Sequence, residues 1–200
     1  MHKYLPYTSS IKDMPLMFLE MKRTAILLCE GKTSDEIVSL SMHKNIYQLD
    51  KQKRRRDLPL RMTKRLLTIE QPLVAIIASG NDTDAKLIAF LAFMKVDRLL
   101  FEYMYEVYAD KYHAGYNEIT DNDFLGFIDR KAHSSATVEK WSVSTLTSVR
   151  GKIKSSLCNA NLAKRSGNNL LIQKPIVSIE LRKLFDETDR IYIQAMLMEV

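Results

Sequence analysis

The sequence predicts a mainly α protein with a small β-hairpin, a compact helical chain whose C-terminal part is winged helix-turn-helix-like. Three observations predict this. Glycine (6) and proline (5) are scarce in 200 residues, which favours long helices over a turn-rich β fold. Apolar side chains recur at helical spacing through most of the chain. A single hairpin signal, Ser166-Gly167-Asn168-Asn169, lies between two short stretches rich in apolar residues.

The elements follow in order. Pro15 suits a first helical turn, Leu16, Leu19, Ile26 and Leu27 continue the pattern, and Gly31 stops it, so a helix is expected over Pro15–Cys29. Thr33 or Ser34 can cap a short helix through Ile37 and Leu40, with Asp35 and Glu36 in its first turn. A third helix is expected from Arg54–Asp57 to Leu66–Leu67, with a boundary or kink at Pro59. After Gly80, Asp82 or Asp84 caps a long apolar helical region from Ala85 to Tyr112. Its aromatics, Phe90, Phe93, Phe101, Tyr103, Tyr105 and Tyr108, read as core and rim packing. Thr120 or Asp121 starts a helix through Phe124 and Phe127, and one short turn fits within His133–Lys140. Ser142 then caps a helix through Leu146, Val149, Ile153 and Leu157, with Trp141 and Leu146 as a hydrophobic staple. Strands at Leu162–Arg165 and Leu170–Lys174 form the hairpin, and short helices from Ser178 and over Ile191–Leu197 close the chain. Two regions are expected, an N-terminal helical, basic domain over 1–80 and a helical core with the winged-helix-like part over 81–200.

The net charge of +6 is segregated. Residues 43–65 hold 9 basic and 2 acidic side chains, and residues 142–175 hold 6 basic and none acidic. The intervening 66–141 hold 7 basic against 12 acidic. Two concentrated cationic blocks point to a polyanion partner, because converging Lys and Arg gain from counterion release at a phosphate backbone. In the first block the candidates are Arg54, Arg55, Arg56, Arg61, Lys64 and Arg65. In the second they are Arg150, Lys152 and Lys154 on the long helix, Ser142 and Thr145 near its start, and Lys164 and Arg165 at the hairpin. A helix, a short connection, a basic helix and a hairpin is the order of a winged helix-turn-helix, whose second helix enters the major groove. Arg150 and Lys154, four apart, share a helix face, whereas Lys152 points elsewhere.

The sequence gives no reason to expect an enzyme. Gly31-Lys32-Thr33 lacks the earlier glycine of a phosphate-binding loop, since Ile26 stands there. His2, His43, His113 and His133 are scattered without zinc-ligand spacing, so no metal is expected. Asp121 and Asp123 read as helix caps. No cofactor and no small-molecule substrate is indicated. Cys29 and Cys158 are too few and too far apart for a disulfide framework, and no apolar run reaches membrane-spanning length. The expectation is a cytoplasmic protein without a membrane anchor.

Leu99-Leu100-Phe101-Glu102-Tyr103 through Val107, Thr120-Asp121 with Phe124 and Phe127, Trp141 with Ser142 and Thr145, and Lys152 to Leu162 with the hairpin behind it together resemble the BrxA family of bacterial BREX phage-defence systems. The resemblance spans residues 14–198. It implies a non-catalytic helical protein with winged-helix-like elements that binds double-stranded DNA beside other BREX proteins. The alternative is an assembly module that docks onto a larger defence protein, and RNA binding by the first block is a third reading.

Overall fold

The computed structural model describes residues 5–199, so His2 lies outside the described residues. The chain is mainly helical, as expected. Four helices form the N-terminal part: α1 (Phe18–Cys29), α2 (Ser34–Lys44), α3 (Gln52–Leu66) and α4 (Gln71–Ser79). Helix α1 starts later than its periodicity suggests. Met17 takes a left-handed backbone (φ 50°), and the preceding residues have other partners, described below. Thr33 and Glu36 form the capping box that starts α2. Helix α3 runs through Pro59 without ending there, even though a proline lacks the N–H that would bond to the Arg55 carbonyl.

Helix α5 (Asp82–Val96) is the axis of the molecule. It is apolar on nearly every side, and residues 87–94 are all buried, against α1, α3, α4 and a C-terminal helix, α12 (Arg190–Ala195). The long helical region expected over Ala85–Tyr112 turns a corner at Asp97. That residue is extended (φ −127°, ψ 103°), and its carboxylate accepts the Leu100 N–H at 3.0 Å, recapping the chain as α6 (Arg98–Tyr103). A π-helical segment, Met104–Ala109, and α7 (Asp110–His113) follow. Tyr103 meets Phe127 edge-on at 5.4 Å, and Phe101 meets Tyr192 at 4.9 Å, so the aromatics fill the core.

The next unit runs β1 (Glu118–Ile119), α8 (Asp121–Ser134), α9 (Ala136–Glu139), α10 (Val143–Asn159), β2 (Ala163–Ser166) and β3 (Asn169–Ile172), before α11 (Ile179–Arg182). The hairpin pairs Ser166 with Asn169 across a two-residue turn, in which Gly167 supplies a positive φ of 56°. Its third strand, β1, was not expected. It pairs antiparallel with β3, giving the strand order β1-β3-β2. Among the described residues no helix is long and apolar enough to cross a membrane.

Candidate nucleic-acid interface

The two halves of the chain are joined by residues 10–16. A 3₁₀ turn, Ser10–Lys12, packs against α10, and Ile11 is fully buried. The Leu16 N–H donates to Ser156 Oγ on α10 at 3.2 Å. From the other side, the Arg65 guanidinium of α3 donates to the carbonyls of Met14 (2.6 Å), Pro15 (2.7 Å) and Leu16 (3.0 Å). It lies over the Phe93 ring, 3.8 Å from the centroid. Arg65 is only 3% exposed, and burial pushes its pKa down from the ordinary arginine value to about 9. These bonds are why α1 starts at Phe18, since the carbonyls of residues 14–16 are spent on Arg65.

This joint brings the two basic blocks to one surface. An open groove of about 1010 Å³ lies between α3, the residues before it and α10. Six cations line it: Lys12, Lys51, Lys53, Arg54, Arg61 and Lys152. Three carboxylates, Asp13, Asp50 and Asp57, line it too, so the balance is positive but not uniform. A second hollow of about 610 Å³ shares Lys12, Asp13 and Lys152 with the first and continues along α10 to Arg165 on the hairpin. The cationic surface therefore runs from α3 across residues 12–13 to β2.

The expected site residues divide. Arg54 faces the groove, and its Nη2 also reaches the Asp13 carbonyl at 3.3 Å. Arg55 turns back to the Leu49 carbonyl (2.7 Å), and Arg56 pairs with Asp57 at 3.1 Å. Arg61 and Lys64 are exposed. Arg65 is a correction, because it is interior and holds the chain together. Lys154 is a second correction. It is buried, and its ammonium pairs with Asp121 and donates to the Asn168 carbonyl at the hairpin turn. Arg150 pairs with the same Asp121 at 3.1 Å. The lysine's hydrogen bond, opposed by desolvation, leaves the Asp121 carboxyl below its ordinary value. The face shared by Arg150 and Lys154 thus turns toward α8 and the hairpin.

The open face of α10 is the other one. Ser144, Thr147, Ser148, Gly151 and Lys152 are exposed and recur at helical spacing, with half-buried Ser155 a turn on. Ser142 caps the helix by accepting the Thr145 N–H at 3.2 Å, and its hydroxyl is 3.1 Å from Thr145 Oγ1. Lys164 and Arg165 are exposed on β2. Lys12 was missed by sequence reading, since it is an isolated cation in a neutral stretch and only the packing of residues 10–12 on α10 brings it to the groove. Among the described residues no group of three or more His, Cys, Asp or Glu could hold a metal ion.

Comparison with known proteins bears on the whole chain. The family model for BrxA matches residues 5–189. A Bacillus cereus (strain H3081.97) protein named "BREX protein BrxA" is 32% identical over 175 residues, covering 88% of each chain. The crystal structure of an uncharacterized protein from Magnetospirillum magneticum superposes with a TM-score of 0.80 at 21% identity, covering 96% of this chain and 98% of that one. That last likeness speaks to the fold alone.

Proposed function

The chain belongs to the BrxA family of BREX proteins, and from that premise we propose that it is a non-catalytic component of phage defence that binds double-stranded DNA through the groove between its two basic blocks. The observation that carries this reading is that Lys152 of α10 lines the same groove as Arg54 and Arg61 of α3. Helices α8, α9 and α10 with the hairpin then act as a winged helix-turn-helix. The open face of α10 approaches the duplex, and Arg165 reaches the flanking backbone. Small side chains on that face let the helix come close, and the cations of α3 and Lys12 hold a neighbouring stretch of phosphates. Base readout is slight on this reading, because the exposed hydroxyls are short and Lys152 is the only long donor among them.

Fluorescence anisotropy with a labelled duplex, repeated across a salt series, tests the proposal. Binding should weaken steeply with salt, and a variant carrying Arg54→Ala, Arg61→Ala and Lys152→Ala should lose both affinity and about half of that dependence. If the triple variant bound duplex as well as the parent, the groove would not be the site.

A second reading rests on a different surface. Ile176 and Ile179, just after the hairpin, are 85% and 68% exposed, which favours contact with another BREX protein there. Co-purification of such a partner that survives nuclease treatment and is lost on Ile176→Asp would support it.

A further inference from the structure

The small sheet has an open edge. In the order β1-β3-β2, strand β2 is outermost, with β3 on one side and, among the described residues, no strand on the other. The Gln173 N–H donates to the Leu162 carbonyl at 2.8 Å, so those two residues are a hydrogen-bonded pair of the antiparallel ladder. The pattern alternates from there. Lys164 and Ser166 turn their backbone groups toward β3, and Ala163 and Arg165 turn theirs outward. Among the described residues no helix or loop bonds to those outward groups. A free edge of this kind is a template for one more strand.

A hollow of about 530 Å³ lies along that edge, between the open end of the hairpin and α5. Ala163, Lys164 and Arg165 all line it. Successive side chains of a strand point to opposite faces, so three residues in a row border one space at the strand's edge. Leu87, Pro175 and Ile176 supply apolar wall. Three cations line the hollow, Lys164, Arg165 and Lys174, and among the described residues no carboxylate does. Lys174 is paired with Glu199. The side chains of Lys164 and Arg165 make no ion pair or hydrogen bond among the described residues.

These features select an occupant. Outward N–H and C=O groups call for an extended backbone, and two unpaired cations call for carboxylates. The same cations disfavour a second copy of β2, which would set Lys and Arg against Lys and Arg. A phosphate backbone would satisfy the cations but would bring anions to the outward carbonyls. We propose that β2 receives an extended acidic segment of a partner protein, which adds to the sheet as a fourth strand. The pleat gives the register. Ala163 and Arg165 share a face with the buried Leu170 and Ile172, and Lys164 stands on the other face beside Leu171. The partner residue opposite Ala163 is apolar and enters the hollow, and those opposite Lys164 and Arg165 are acidic. The inference rests on the partner contact at Ile176, which lines the same hollow, and it names the part of the partner that is held.

Isothermal titration of the full-length protein with a synthetic ten-residue peptide, Val-Glu-Glu-Val at its centre between threonines, tests this. The parent should bind it and should not bind the Val-Lys-Lys-Val version. Two peptides N-methylated at alternate backbone nitrogens separate strand addition from plain charge attraction, because only alternate N–H groups face β2. One of them should bind roughly tenfold or more weakly than the other. On the protein side, Arg165→Ala removes a charge, whereas Arg165→Pro also removes the outward N–H while sparing the ladder to β3. The proline variant, folded by circular dichroism, should bind more weakly than the alanine variant; if it does not fold, the methylated peptides decide. Lys164→Glu should abolish binding, and bound peptide should slow amide exchange at Ala163 and Arg165 in the parent. Equal binding by the two methylated peptides overturns the proposal, as does a parent that takes the lysine peptide as readily as the glutamate one. If a BREX protein co-purifies and is lost on Ile176→Asp while the glutamate peptide is ignored, the partner reading stands and the added strand falls. If the peptide binds and no such protein co-purifies, the strand site stands and the partner reading falls.

Discussion

Arg65 and Lys154 both carry charge into the interior, and their partners give them different tasks. Arg65 is satisfied by three backbone carbonyls, with no carboxylate in hydrogen-bond range among the described residues, so its charge is used to fix the path of residues 14–16. Arg65→Met should lower stability by about 3 kcal/mol in urea unfolding, because buried carbonyls lose their donors and Asp97 loses a nearby positive charge. Lys154 ties α8 to the hairpin turn through Asp121 and Asn168. Lys154→Met should cost about 1–3 kcal/mol in the same assay and leave the salt slope of DNA binding unchanged. Lys152→Ala should do the opposite, weakening DNA binding with no change in unfolding midpoint. The Asp121 link also has a pH signature. Its carboxyl sits below the ordinary aspartate value of 3.8 in the folded chain. Its contribution is therefore fully present above that value and is lost as pH falls through the lower, folded value. Thermal melts across the acid range should fall less steeply for Asp121→Asn than for the parent.

At the level of elements, the hairpin is held from behind by the π-helical segment. The Tyr108 hydroxyl lies 2.7 Å from the Leu162 carbonyl and 2.9 Å from that of Gln173, which flank the two strands at the open end of the hairpin. Tyr108→Phe should cost about 1 kcal/mol and loosen the hairpin, seen as faster amide exchange in β2 and β3. The long helices and the hairpin were legible in the sequence because each is encoded locally, by apolar spacing, caps and a turn. Strand β1 was not, because two residues carry no period and its pairing with β3 is set more than 50 residues away in the chain. The candidate site was half legible. Counting charge in 142–175 locates six cations, but not that Asp121, 33 residues before Lys154, engages two of them. Nor does the run Arg54-Arg55-Arg56 reveal that only the first faces the groove. Which face of α10 is open follows from where Val149, Ile153 and Leu157 are buried, and that stripe is visible in the sequence. Thr147→Glu on that face should abolish DNA binding in the anisotropy assay with the fold intact.

Taken whole, the molecule gathers six cations from three separate parts of the chain into one groove, with three carboxylates among them. If each of the six groove cations neutralises one phosphate, the logarithm of affinity should fall against that of salt with a slope near −5. Each cation removed should reduce the slope by about one. The groove exists only while residues 10–16 lie between α3 and α10, and that has a consequence in time. Those residues leave the ribosome well before Ser156, which holds Leu16 and lies 140 residues later. The groove therefore closes only once α10 has been made. A polypeptide released before that point would carry the arginines of α3 yet have no assembled groove in which to use them.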